Sequence, residues 1–123
     1  MDYVLKEIQT VARQYPDIQR IVLFGSRARG DNTVHSDYDL AIFAGEKLPR
    51  TAFQNAVENI STLHKLDLVF ITARHKESDL YRNILQDGVD IVNKFQTKFS
   101  NYQKALSRLH EGLDEANKSK SLT

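Results

Sequence analysis

The 123-residue chain contains no cysteine, which excludes disulfides, thiolate zinc sites and cysteine nucleophiles together. That absence also fits a reducing compartment. Long apolar runs are missing too. The longest, Leu40 to Ala44 and Leu68 to Ile71, fall far short of the roughly 20 residues a spanning helix needs. The amino terminus carries acids among its apolar residues and no small-residue cleavage site, so no signal peptide is expected. Neither sign of charge dominates: 17 Lys and Arg stand against 16 Asp and Glu, for a net charge of +1. No global charge argues for a nucleic-acid or membrane-surface binder, and any charge-based function has to be local. The expectation is a soluble, cytoplasmic chain. Its 41% hydrophobic and 27% charged residues are ordinary globular usage, and its length suits a single core.

Only two prolines and five glycines punctuate the chain, and they bound its periodic segments. Leu5, Ile8, Ala12 and Tyr15 recur at helical spacing after the possible cap Asp2, predicting a helix over 2–15 that Pro16 stops. Ile18 to Phe24 is a short β-branched and apolar run ending at Gly25, and reads as a buried strand. A turn into a short helix at 25–31 and a polar loop follow, then a second strand over 37–44 closed by Gly45. Pro49 opens a helix whose predicted inner face is Phe53, Val57, Ile60 and Leu63. A third strand is expected over 65–71. A helix over 76–86 should bury Leu80, Tyr81, Ile84 and Leu85 and stop at Gly88, with a short edge strand at 89–92. The order predicts an α+β fold: a small mixed sheet with helices on one face over residues 1–94. In the tail, Phe95, Phe99, Tyr102, Leu106, Leu109, Leu113 and Ala116 alternate spacings of four and three. That is the heptad seam of an appended amphipathic helix over 95–117, followed by a polar tail, 118–123. The seam could pack on the chain's own domain or hold a partner.

Asp37 and Asp39 lie two apart on the predicted second strand, which would point both carboxylates to one face about 6.6 Å apart along the strand. Aspartate is depleted in strands, and two on one face repel unless a positive charge sits between them. Either Asp37 caps a turn and Asp39 lies on an exposed edge, or the pair holds a divalent cation. Oxygen donors without cysteine favour Mg²⁺ or Mn²⁺ over zinc. Gly25 and Ser26, between an apolar strand and a helical turn, offer amides and a hydroxyl to an anion, and Arg27 and Arg29 add charge. The spacing Gly25…Gly30 copies the first half of a P-loop, yet Asp31 and Asn32 stand where that motif needs Lys and Ser or Thr. Asp67, in the otherwise almost wholly apolar KLDLVFI, is either an acid at a strand's exposed start or, if its strand lies beside that of Asp39, the third carboxylate of the site. The four histidines form no metal-binding pair; His35 lies beside the proposed site, either solvated or touching substrate. Tyr38, between the aspartates, should face away from them.

The stretch LFGSRARGDNTVHSDYDLAIF strongly resembles the signature of the minimal nucleotidyltransferases of the DNA polymerase beta-like superfamily. The resemblance implies transfer of a nucleoside monophosphate from a nucleoside triphosphate, usually ATP, to a hydroxyl acceptor. It makes Gly25 and Ser26 the triphosphate-binding pair, with Arg27 and Arg29 beside them. Asp37, Asp39 and Asp67 become the carboxylates that bind Mg²⁺ or Mn²⁺. A second stretch, KFSNYQKALSRLHEGLDEA, resembles the opening helix of HEPN-type nucleotidyltransferase substrate-binding proteins, which often pair with minimal nucleotidyltransferases. The acceptor implied is a HEPN-like partner, as in a toxin–antitoxin pair, with the 95–117 helix holding that partner or a second copy. The alternatives are a small hydroxylated acceptor such as an antibiotic, or a non-catalytic nucleotide- or partner-binding module.

Overall fold

A computed structural model describes residues 1–95 and 102–109. The chain divides into two units, Met1–Asn93 and Lys94–Thr123. In the first, α1 (Tyr3–Arg13) starts where Asp2 Oδ1 accepts the Leu5 amide at 2.9 Å, and it ends before Pro16 as its periodicity requires. β1 (Ile18–Phe24) follows, then the single turn α2 (Ser26–Arg29), β2 (Tyr38–Ala44), α3 (Arg50–Glu58) and β3 (Leu66–Phe70). A short 3₁₀ turn, Ala73–His75, leads to α4 (Asp79–Asp87), whose cap Ser78 accepts the Tyr81 amide, and to β4 (Val89–Asn93).

The four strands form one mixed sheet in the order β3-β2-β1-β4. β1 pairs antiparallel with β2 and with β4; β2 and β3 run parallel, joined by the crossover through α3. Period-2 alternation sends Ile21, Leu23, Leu40 and Ile42 to one face, where Ile8 of α1 and Phe53 and Val57 of α3 cover them. The alternate residues, Val22, Phe24 and Ala41, meet Ile84 of α4. The expected mixed α+β sheet is present, and α4 adds a helix on the second face. Strands apolar on both faces require such cover. Each Leu, Ile, Val or Phe so buried stabilises the fold by roughly 1.5–3 kcal/mol.

Helix ends depart from the periodicity. α3 stops at Glu58 with Asn59 as its cap, so Ile60 is still buried while Leu63 stands fully exposed in the loop to β3. Leu85 is exposed as well, because the apolar pairs Leu80–Tyr81 and Ile84–Leu85 of α4 spread past the width of its buried stripe and only Ile84 is fully buried. In the second unit, 94–95 and 102–109 are helical, with Phe95, Tyr102 and Leu109 exposed. Phe99, Leu113 and Ala116 of the heptad seam, and the 118–123 tail, lie outside the described residues. Among the described residues, no helix is long and apolar enough to cross a membrane.

Candidate active site

β1 ends at Phe24, and the chain reverses at Gly25 with φ +74° and ψ −156°, a conformation open to glycine alone. A second constraint falls on the same atom. A Cβ at this position would collide with the carboxylate of Asp39, the residue paired with Phe24 across the β1–β2 ladder. The glycine therefore lets the turn lie directly against a strand-borne acid. The Gly25 carbonyl accepts the Ala28 and Arg29 amides at 3.1 Å each, which closes α2; the amides of Ser26 and Arg27 precede that first closed turn. Gly30, with φ +83°, ends it.

β3 places its acid beside this pair. In the parallel ladder Asp39 is the direct partner of Asp67, so both side chains leave the sheet on the face opposite Tyr38 and Leu40. Asp39 is half-buried. Burial first, then the charges of Asp67 and Asp37, push its carboxyl above the ordinary aspartate range, while Arg29 opposes them. Asp37 precedes the first residue of β2 and is exposed, because the ladder begins only where the Tyr38 amide donates to the Lys65 carbonyl at 3.0 Å. Lys65 Nζ lies 3.3 Å from Asp67 Oδ1. Among the described residues, no three acid or histidine side chains are gathered tightly enough to hold a metal ion as they stand. The donor set nevertheless fits one in kind: hard carboxylate oxygens, two of them on registered strands, in mutual repulsion that a divalent cation relieves.

The two arginines of the turn part company. Arg29 is exposed, 3.3 Å from Asp31, and its charge reaches Asp39. Arg27 is engaged elsewhere: its guanidinium lies 4.1 Å over the Tyr38 ring and donates to the Ser36 carbonyl. Sequence reasoning did not single out His64 and Lys65. Both line two clefts beside the carboxylates, one of about 440 Å³ with Val34, Asp37 and Leu63, the other of about 410 Å³ reaching Asp67 and Glu58. Their position just ahead of the Asp67 strand was the available signal. His35 lines the first cleft.

A glycine-serine turn packed on a carboxylate, within a mixed sheet that sets a second acid in register, defines a nucleotidyltransferase fold. Residues 6–97 match the family model Polymerase beta, Nucleotidyltransferase, and the chain belongs to that family. No curated protein matches it. Among solved structures it is similar to a toxin-antitoxin with AMP-PNP, at 22% identity and TM-score 0.55 over 91% of this chain and 97% of that one. A mutant of the toxin-antitoxin MntA-HpeT is 25% identical, with TM-score 0.55 over 90% and 95% of the two chains. The toxin-antitoxin MntA-HepT is 22% identical, with TM-score 0.51 over 92% and 96%.

Proposed function

We propose that this nucleotidyltransferase moves AMP from ATP to a hydroxyl of a HEPN-like partner protein, as the antitoxin of a toxin–antitoxin pair. The observation that carries the reading is the packing of Gly25 against Asp39, itself paired with Asp67, which sets the glycine turn beside two of the three carboxylates. Ser26 and the open amides of the turn hold the triphosphate, with Arg29 supplying charge. The acceptor oxygen attacks the α-phosphorus, the bond to the β-phosphate oxygen breaks, and pyrophosphate leaves. Asp67, at the open edge of the sheet, takes the acceptor proton. Asp37, Asp39 and Asp67 would hold Mg²⁺ or Mn²⁺, which supplies Lewis-acid polarisation of the phosphate when bound.

Two features support a protein acceptor over a small molecule. The solved structures of this fold similar to the chain include toxin–antitoxins, one of them with AMP-PNP. Val34 and Leu63, both strongly exposed apolar side chains, flank the cleft at Asp37. ATP labelled in its α-phosphate, given with Mg²⁺ and a co-expressed HEPN-like neighbour, is expected to label that protein, while γ-labelled ATP does not. Label arriving from the γ-phosphate, or on a small molecule alone, overturns the reading.

A further inference from the structure

Arg27 follows the phosphate turn directly, yet among the described residues its interactions are with Ser36, Tyr38 and His64. Its Nε and Nη2 both donate to the Ser36 carbonyl, at 3.0 and 2.9 Å. Its guanidinium stacks over Tyr38, and Nη2 lies 3.5 Å from His64 Nδ1. Tyr38 is a firm base for that stack: it is 4% exposed, its hydroxyl donates to Asp2 Oδ2 at 2.8 Å, and its ring meets His64 edge-on. Tyr38 and Asp39 are successive strand residues and point to opposite faces. The electrostatics divide the same way, the charge of Arg27 acting on Tyr38 and that of Arg29 on Asp39.

The Ser36 carbonyl belongs to the peptide that leads into Asp37. On the other side of Asp37, the Tyr38 amide is held by the Lys65 carbonyl. Asp37, exposed and just outside the strand, thus sits between two backbone anchors, one of them an arginine borne by the phosphate turn. His64 extends the link to the loop that enters the Asp67 strand.

We infer that Arg27 is a positioning residue, not a phosphate ligand: it latches the loop before Asp37 to the phosphate turn, so that the exposed carboxylate and the triphosphate grip keep one geometry. The inference rests on the transfer reaction proposed above. A planar fork that doubly engages one carbonyl while stacking on a ring is a task lysine does not perform.

The full chain carrying Arg27→Lys or Arg27→Gln tests this. Hydrogen exchange without nucleotide should rise by about tenfold or more in residues 33–37 and stay near wild type in α1 and α3, as expected for a local opening. With ATP, kcat should fall by about 100-fold, the cost of roughly 1 Å of misplacement. KM for ATP should move by less than about threefold, because no ground-state phosphate contact is lost. Arg27→Lys should be no better than Arg27→Gln. A KM increase that outweighs the kcat loss and is restored by lysine would make Arg27 a phosphate contact and overturn the latch. Exchange rising evenly throughout the chain would overturn it too, leaving Arg27 as general support for the fold. If the wild-type chain transfers no nucleotide, the proposed function fails, and the exchange pattern still decides the latch.

Discussion

At Asp39 stability and the proposed chemistry pull in opposite directions. Its carboxyl is raised by burial and by its acidic neighbours, so the folded chain holds that proton more tightly than the unfolded chain does. Folding stability therefore falls as pH rises from 3.8 through the higher folded value. Asp39→Asn should melt above the wild type at neutral pH, lose that advantage below the unfolded value, and transfer no nucleotide. Asp37→Asn should be as inactive but close to wild type in melting temperature, since Asp37 is exposed. Paired melting curves and turnover at saturating Mg²⁺ check both; near-normal turnover in either variant removes that residue from the site. Gly25→Ala should lose activity and at least about 1 kcal/mol of stability, the usual cost of a side chain at positive φ, measured by urea unfolding. A wild-type midpoint would mean that the turn relaxes away from Asp39.

Elements were legible where the pattern was local and the ends were marked by chemistry. Ile18 to Phe24 is a strand over the whole expected span because apolar, β-branched residues run straight into a glycine. The Asp2 cap, the edge position of β4 and the inward turn of Tyr38 follow from equally short-range signals. Leu63 misled because helical spacing continues in the sequence for a turn after the helix itself has ended at Glu58. Other features reach past a short window. Asp67 stood out in the sequence and was expected beside Asp39 if their strands were neighbours, but the direct register of the two is a relation across a crossover. The role of Arg27 depends on Tyr38, Ser36 and His64 meeting in space. The same holds for Gly88, readable as a helix stop but not as a packing contact. A Cβ there would strike the Ile84 carbonyl and Val22 Cγ1, where α4 meets β1. Gly88→Ala should cost about 1–3 kcal/mol, as overpacking does. Val22→Ala should relieve part of that cost, giving a coupling of at least about 0.5 kcal/mol in a double-mutant cycle. Additive losses would show that the helix end shifts freely.

For the whole molecule, every buried core side chain among the described residues lies between Val4 and Ile91. A chain ending at Lys94 should therefore fold, melt near the full-length temperature and keep the proposed chemistry, read as release of pyrophosphate from ATP. Association should be lost, and Leu106→Asp with Leu109→Asp in the full chain should reproduce that loss in light scattering. An unfolded truncation, with the full chain monomeric and indifferent to a HEPN-like partner, would instead make the carboxyl-terminal helix part of the fold. The strand order also has a consequence in time. β1 lies between β2 and β4, and the last of these is made some seventy residues after the first. By Phe70 the chain contains Gly25, Asp39, Asp67 and the three strands that carry them, while one flank of β1 still lacks its neighbour. The residues proposed for the site are thus all made before the last strand of the sheet, and until β4 pairs, that flank of β1 is an open edge of the kind that invites strand-to-strand aggregation.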